Sequence, residues 1–236
     1  VGVLAVDPSS PFSGGALLGD RIRMQDHALD REVYIRSMAS RGHLGGLAWT
    51  TPQALRVLDA AGCDVVLVET VGVGQSEVEI AGLADTTVVL LAPGMGDGIQ
   101  AAKAGILEIG DIFVVNKGDR DGAQALVREL RTMIALADRG PHDWKPPIVS
   151  TVAHEHRGID DLVLSVDRFR AFQIDTGRAQ ERRTARARLE VESIAFARLR
   201  TEFRVNGAAG IDDLAEAVSR GELDPYAAAD RVVLGH

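Results

Sequence analysis

Runs of apolar, β-branched residues without polar alternation recur along this chain. Such runs are typical of strands that are covered on both faces of a parallel sheet. Stretches with the composition of helices separate them. An alternation of strand and helix predicts an α/β fold with a doubly wound, mostly parallel sheet, which binds ligands at the carboxyl ends of its strands. The predicted strands are Val1–Val6, Val65–Val68, Thr86–Ala92, Ile112–Val115 and Pro147–Ser150, and the predicted helices are Pro52–Ala61, Val78–Ala84, Gly98–Ile109 and Gly122–Ala137.

The segment from Val33 to Ala48 departs from this pattern. An apolar stretch, Val33–Met38, runs into the glycine-rich sequence Arg41–Gly46. Because clustered glycines favour turns over regular elements, we expect a β-hairpin or a mobile loop here.

The strand pattern stops near residue 158. Two long helical stretches follow, Ile159–Gln173 and Gly177–Val205, and then a shorter one, Ile211–Arg220. A last helix starts at Pro225, a residue favoured at the first helical position. We therefore predict an α/β domain over residues 1–158 and a helical extension over residues 159–236. A long amphipathic helix outside a closed core packs on that core or on a second subunit.

Candidate chemistry begins at the carboxyl end of the run Ile112–Val115, where the sequence continues Asn116-Lys117-Gly118-Asp119. A buried strand that ends in Asn-Lys-x-Asp is how P-loop GTPases recognise guanine. The Asp119 carboxylate can accept hydrogen bonds from the ring N–H and the exocyclic NH₂ of guanine, a pair that adenine does not offer. A buried acceptor that the wrong base leaves unpaired discriminates strongly between bases.

A second motif, Glu69-Thr70-Val71-Gly72, follows the run Val65–Val68. It has the form of a nucleotide switch, in which the Glu69 carboxylate holds the hydration shell of Mg²⁺ and Gly72 lets a backbone N–H approach the γ-phosphate. The glycine-punctuated continuation through Gln75 fits a loop that moves with nucleotide state. An ordinary strand-to-helix turn is the alternative for Glu69 taken alone.

The sequence contains no Gly-x-x-x-x-Gly-Lys-[Ser/Thr] run to cradle the β- and γ-phosphates. It also begins inside a predicted strand and without Met. In this topology the phosphate loop belongs to a preceding strand–helix unit. The expectation is a chain that lacks its N-terminal segment and that binds nucleotide poorly by itself.

Composition limits the remaining classes of function. The 236 residues are 46% hydrophobic and 25% charged, which fits a soluble globular chain. A net charge of −8 argues against non-specific nucleic-acid binding. No apolar stretch approaches the roughly 20 residues that span a bilayer. The single Cys63 fits a reducing compartment, and we expect a cytoplasmic protein.

Several long blocks of the sequence resemble the MeaB/ArgK family of P-loop GTPases, which accompany adenosylcobalamin-dependent methylmalonyl-CoA mutase. Together they cover most of residues 1–160, whereas the helical part resembles the family's dimerisation region more loosely. The blocks are residues 6–24, 36–47, 69–77 and 116–119.

The resemblance implies roles for further residues. Asp7 and Asp20 would join Glu69 around Mg²⁺, although an Asx-turn before Pro8 and a helix N-cap are the alternatives for these two aspartates. The loop Ser150-Thr151-Val152-Ala153, after the last strand, would support the guanine with its backbone. The stretch Pro93–Lys103 resembles the family's extra switch, in which Gln100 and Lys103 share a helix face and Lys103 is a candidate for sensing the γ-phosphate.

The function implied is that of a homodimeric GTPase chaperone, which binds GTP or GDP with Mg²⁺ and serves methylmalonyl-CoA mutase or a close B12-dependent acyl-CoA mutase. Its work would be the loading and protection of the cofactor. Two alternatives stay open. One is a metallochaperone GTPase, which the single cysteine disfavours, and the other is a non-catalytic dimerisation and partner-binding fragment of such a GTPase.

Overall fold

The computed structural model of the protein describes residues 1–8, 24–27, 29–40, 51–70, 82–94, 108–137, 139–202 and 211–234. Its strands are β1 (Gly2–Pro8), β2 (Tyr34–Ser40), β3 (Val66–Thr70), β4 (Val88–Leu91), β5 (Ile112–Val115) and β6 (Ile148–Ser150). Its α-helices are α1 (Thr51–Ala60), α2 (Ala123–Leu136), α3 (Ile159–Asp175), α4 (Arg178–Glu202), α5 (Ile211–Ser219) and α6 (Pro225–Leu234). Short 3₁₀ turns lie at Gln25–His27 and Ala153–Glu155.

The first sheet has the strand order β2-β1-β3, and both pairings are parallel. β1 lies at its centre, and its residues Val3–Val6 are buried. Helix α1 packs over the start of β1, where a Cβ on Gly2 would lie 2.8 Å from Cδ1 of Leu58. A glycine in β1 therefore makes room for the buried leucine of the helix.

The second sheet has the parallel order β4-β5-β6 and is covered on both faces. All four residues of β5 are buried, but alternate ones face different helices. Phe113 and Val115 pack in one cluster with residues of α2, whereas Ile112 and Val114 pack in another with Leu162 and Val166 of α3. A strand with helices on both sides explains the unbroken apolar run. The predicted α/β fold with parallel strands is confirmed.

The prediction of a hairpin or mobile loop over Val33–Ala48 was wrong for its first half. Tyr34–Ser40 is a regular strand that pairs in parallel with β1 from Gly2 to Pro8. Its residues alternate between exposed Tyr34 and Arg36 and half-buried Ile35 and Ser37, as in a strand at the edge of a sheet. The glycines that suggested a turn lie at 41–50, outside the described residues.

Two strands are less covered than their sequences suggested. Leu67 in β3 is 53% exposed and Leu90 in β4 is 62% exposed, although both runs are continuously apolar. Each strand stands at the end of its sheet in the described strand order. An edge strand has a neighbour on one side only, which leaves apolar side chains near its free edge in contact with solvent.

The remaining predicted elements are described in part. Residues 82–83 and 108–109 are helical, and the rest of the predicted helices Val78–Ala84 and Gly98–Ile109 lies outside the described residues. The long helices after residue 158 are present, and α4 is described through Glu202. The chain divides into compact units at Val1–Gln180 and Glu181–His236, so α3 belongs to the first unit with both sheets. Among the helices in the described ranges, none is both long and apolar enough to cross a bilayer.

An aromatic cluster ties α3 to the loop before β6. The ring of Trp144 lies 4.9 Å from that of Phe169 and 5.3 Å from that of Phe172, centroid to centroid. Its indole N–H donates to the carbonyl of Asp111 at 2.7 Å, at the start of β5. The Asp111 carboxylate in turn accepts a hydrogen bond from the backbone N–H of Thr87, before β4. Hydrogen bonds thus join the amino-terminal ends of β4 and β5 to Trp144, and ring packing joins Trp144 to α3.

The Arg178 guanidinium, at the start of α4, closes this cluster. It lies over the ring of Phe172 and forms an ion pair with Asp143. The hydrogen bond from Arg178, and after it the one from the backbone N–H of Gly140, holds the pKa of Asp143 below its ordinary value of 3.8. Both members of the pair are partly exposed, so solvent screening limits its contribution.

We predict that the Arg178→Gln substitution destabilises the protein at neutral pH and much less in acid. The folded-state pKa of Asp143 is lowered, so the pair stabilises the protein above the ordinary pKa of 3.8 and loses its effect as the pH falls through the lowered value. Denaturant unfolding at neutral pH and at about pH 2 measures the difference, and the same substitution in an Asp143→Asn background is the control. The prediction is contradicted if Arg178→Gln lowers the free energy of unfolding equally at both pH values. It is also contradicted if the loss at neutral pH is the same in the Asp143→Asn background as in the wild type.

Candidate functional site

A tight turn follows the buried strand β5 and carries the Asn-Lys-Gly-Asp motif. The backbone N–H of Asn116 donates to the carbonyl of Leu91, at the end of β4. The chain then reverses through Lys117, whose φ of 56° lies in the left-handed region that few residues with a side chain adopt. The side chains of Lys117 and Asp119 are exposed at the carboxyl end of the sheet. The turn therefore presents an ammonium and a carboxylate to solvent where α/β sheets bind ligands.

The Asn116 side chain joins this turn to the loop after β6. Its Oδ1 accepts a hydrogen bond from the Thr151 hydroxyl at 3.2 Å and another from the Ala153 backbone N–H at 3.1 Å. Backbone hydrogen bonds reinforce the junction, since the N–H of Gly118 donates to the carbonyl of Thr151 and the N–H of Thr151 donates to the carbonyl of Val115. Thr151 is 2% exposed and Val152 is 4% exposed. The predicted base-binding residues Asn116, Thr151 and Val152 are therefore brought together.

The loop that follows closes on itself. Val152 and Arg157 exchange backbone hydrogen bonds of 3.0 and 3.3 Å, and the 3₁₀ turn Ala153–Glu155 lies between them. Glu155 forms an ion pair of 2.8 Å with Arg157. Gly158, at φ 78°, ends the loop and begins α3. The loop is short and held at both ends, which leaves the Ala153 N–H fixed toward Asn116.

The predicted phosphate-side residues belong to the first sheet. Glu69 lies in β3, is half-buried and is the register partner of Ala5 in β1. The backbone of Asp7 lies two residues beyond Ala5, so the two positions stand at the same end of neighbouring parallel strands. Since Asp119 follows a strand of the second sheet, a pocket that Glu69 shares with Asp119 stays a prediction.

The other predicted site residues lie outside the described residues: Asp20, Gly72, Gln75, Gln100 and Lys103. Within the described ranges there is no group of three or more His, Cys, Asp and Glu side chains that could hold a metal ion. This leaves the proposed set of Asp7, Asp20 and Glu69 untested, because the set includes a residue that is not described.

Two glycines that build the site were not predicted as site residues. Gly118 and Gly158 pack against the end of β6. Gly158 had one detectable signal, a glycine directly before the helical pattern that begins at Ile159. Ala153 was expected in the loop that supports the guanine, but the hydrogen bond from its N–H to Asn116 was not predicted, because a backbone N–H carries no sequence signature.

Comparison with known proteins places this geometry in a family. The sequence model described as methylmalonyl Co-A mutase-associated GTPase MeaB matches residues 1–208. A Pyrococcus abyssi protein that is named as a candidate GTPase is 48% identical, over 99% of this chain and 73% of its own length. The Escherichia coli protein named GTPase ArgK is 38% identical, over 87% of this chain and 61% of its own.

Two further similarities extend the comparison. The mouse protein named methylmalonic aciduria type A homolog, mitochondrial, is 34% identical over 97% of this chain and 56% of its own. A crystal structure titled LAO/AO transport system kinase superposes with a TM-score of 0.69 at 26% identity, and covers 98% of this chain and 70% of that one. The match to the family model spans most of the sequence, including both strands that carry the proposed site. This chain therefore belongs to the MeaB family of methylmalonyl-CoA mutase-associated GTPases.

Proposed function

We propose that this protein binds GTP through Asp119, hydrolyses it slowly and uses the change of nucleotide state to act on a B12-dependent acyl-CoA mutase. The observation that carries the proposal is the exposed Asp119 carboxylate, which follows a turn fixed to the loop after β6 through Asn116. Membership of a GTPase family supports the chemistry, and the family's description names methylmalonyl-CoA mutase.

Base recognition is the step that the described residues support in most detail. Asp119 would accept two hydrogen bonds from guanine, while Ser150, Thr151 and Val152 would place their backbone along the base. Lys117 is exposed beside this position, so its methylene chain could cover one face of the base. None of these contacts requires the turn to rearrange, because hydrogen bonds within the protein already hold it.

At the phosphate end, Glu69, Asp7 and Asp20 are the proposed Mg²⁺ residues. Their carboxylate oxygens are the donors that a hard, hydrated cation prefers. When bound, Mg²⁺ would neutralise charge that develops on the phosphates during hydrolysis. We propose that Gly72 and Gln75 act in the nucleotide switch and that Gln100 and Lys103 couple it to the partner.

Residues 1–236 contain no Walker-type glycine loop, and the proposed hydrolysis needs a group that cradles the β- and γ-phosphates. We propose that these residues alone bind GTP weakly and that a further strand–loop–helix unit supplies the cradle. The exposed Leu67 and Leu90, each on a strand at the end of its sheet, support this arrangement, since an added parallel strand would cover apolar side chains there.

We predict that the Asp119→Asn substitution changes the base preference of the site from guanine to xanthine. The amide can donate to the extra carbonyl of xanthine, whereas it repels the NH₂ of guanine, so GTP affinity should fall by at least about 100-fold and XTP affinity should rise. Titration of full-length protein with both nucleotides measures the exchange, and residues 1–236 alone serve as the comparison for weak binding. Unchanged selectivity in the full-length variant would contradict the assignment of Asp119. Tight GTP binding by residues 1–236 would contradict only the proposed need for a further unit.

The proposed partner is methylmalonyl-CoA mutase or a related adenosylcobalamin enzyme. Phosphoryl transfer depends on positioning and charge stabilisation, so a partner that orders the switch residues accelerates it. We predict that saturating mutase raises GTP hydrolysis by the full-length protein about tenfold or more, and that Lys103→Ala reduces the increase more than the basal rate. Phosphate release measured with and without mutase tests this, with an acyl-CoA enzyme that lacks cobalamin as the control. No acceleration by any adenosylcobalamin mutase would refute the proposed partner.

We also propose that the protein is a homodimer through helix α4. Leu189, Phe196 and Leu199 are 58%, 66% and 59% exposed, at spacings of seven and three residues that place them along one stripe of the helix. A cytoplasmic location is proposed as well, which the free thiol of Cys63 fits.

We predict that Phe196→Glu converts the dimer to a monomer, because it places a charge in the proposed apolar stripe. Val191→Glu is a matched control, since Val191 is 67% exposed but lies on a different side of the same helix, five residues away. Sedimentation velocity over a range of concentrations measures both. A monomeric wild type, or equal dissociation of the two variants, would contradict this interface.

A further inference from the structure

The end of β6 is enclosed between two glycines that neither motif assigns to a site. A Cβ on Gly118 would lie 2.3 Å from Oγ of Ser150 and 3.3 Å from the carbonyl oxygen of Thr151. A Cβ on Gly158 would lie 2.3 Å from the carbonyl oxygen of Ser150. At position 158 the neighbour is the backbone carbonyl of Ser150, which leaves no room for a methyl group. At position 118 a methyl group would require the exposed Ser150 side chain to rotate away and would still lie close to the Thr151 carbonyl oxygen.

Gly158 meets a second constraint. Its φ of 78° lies in the left-handed region, which glycine enters without the steric cost that a Cβ brings. At the same residue the chain begins α3, and the Gly158 carbonyl accepts a hydrogen bond from the N–H of Leu162. Gly158 therefore sets the direction of α3 and the distance to Ser150 together.

Hydrogen bonds of the loop after β6 connect the backbone at Gly158 to the side chain of Asn116. Arg157 directly precedes Gly158 and exchanges two backbone hydrogen bonds with Val152. Ala153, the next residue after Val152, donates its N–H to Asn116 Oδ1. A displacement of Gly158 thus moves Arg157, the start of the loop and the contact that fixes the Asn116 side chain.

We infer that Gly158 and Gly118 are positioning residues for base recognition, which set guanine affinity without touching the base. This inference rests on the proposed binding of guanine at Asp119. It assigns to Gly118 a preference for glycine between Lys117 and Asp119 that the Asn-Lys-x-Asp motif does not include. The Ser150 side chain occupies the volume that a side chain at position 118 would need.

The test compares Gly158→Ala with Gly177→Ala in the full-length protein. Gly177 also precedes a long helix, at φ 76°, but a Cβ there would meet nothing within 4 Å. Both variants force alanine into the left-handed region, and only Gly158→Ala adds the contact with Ser150. We expect Gly158→Ala to raise the Kd for GDP by about 10- to 100-fold, as a displacement of a binding group by roughly 1 Å does. Gly177→Ala should bind GDP and hydrolyse saturating GTP like wild type.

If Gly158→Ala does not fold, Gly118→Ala in the wild-type and Ser150→Ala backgrounds provides a second test. Gly118 has no positive φ, so Gly118→Ala adds only its contacts with Ser150 and Thr151. It should weaken GDP binding in the wild-type background and cost several-fold less in a Ser150→Ala background, where the nearest atom is gone. Equal losses in the two backgrounds would overturn the inference for Gly118.

The result separates this inference from the proposed function. If Asp119→Asn exchanges nucleotide selectivity but folded Gly158→Ala binds GDP as Gly177→Ala does, the role of Gly158 is refuted and guanine recognition stands. If Asp119→Asn changes nothing, the proposed function fails first. Circular dichroism melting of each variant confirms that binding is compared between folded proteins.

Discussion

The amide oxygen of Asn116 holds the candidate site together, because it accepts hydrogen bonds from two groups of a loop 35 to 37 residues further along the chain. Hydrogen bonds of this kind contribute about 1 kcal/mol each to stability, but an unpaired partner in a buried position costs more. Thr151 is such a partner, since it is 2% exposed. The turn after β5 and the loop after β6 therefore form one body, which holds the backbone of the turn that carries the exposed Asp119 side chain.

That body is rigid because the strand beneath it is covered from two sides. Alternate residues of β5 pack against α2 and against α3, and all four are almost completely buried. Packing at interior density transmits small displacements instead of absorbing them. Gly158 meets a comparable limit, because the backbone carbonyl of Ser150 leaves no volume for a methyl group there, whereas Gly118 faces the exposed side chain of Ser150.

The opposite end of the second sheet is secured by different chemistry. Trp144 donates to the carbonyl of Asp111 and packs against two phenylalanines of α3, and Arg178 closes the cluster over Phe172. These contacts fix the start of α4 to the α/β unit by aromatic packing and an ion pair. The first unit consequently extends to Gln180, where the apolar patterns of the strands alone suggested an end near residue 158.

The sequence by itself determined the strands that are buried on both faces and the motif at the end of β5. The unbroken apolar run Ile112–Val115 predicted a covered strand, and in the structure β5 lies between two helices with its predicted bounds unchanged. The Asn-Lys-x-Asp motif and the family resemblance likewise followed from residue types at fixed spacing. The edge strand Tyr34–Ser40 escaped prediction because its residues alternate only weakly and the glycines after it indicated a turn.

Only the tertiary structure decided how residues far apart in the chain meet. The pairing of Asn116 with Ala153 uses a backbone N–H, and the need for glycine at 118 and 158 comes from atoms of Ser150 and Thr151. The glycine before α3 indicated only where a helix begins, and the sequence carries no pattern for these contacts, because the volume that a side chain would fill depends on which segment the fold brings alongside. Local residue chemistry thus specified what could bind, and packing between distant segments specified where the binding groups point.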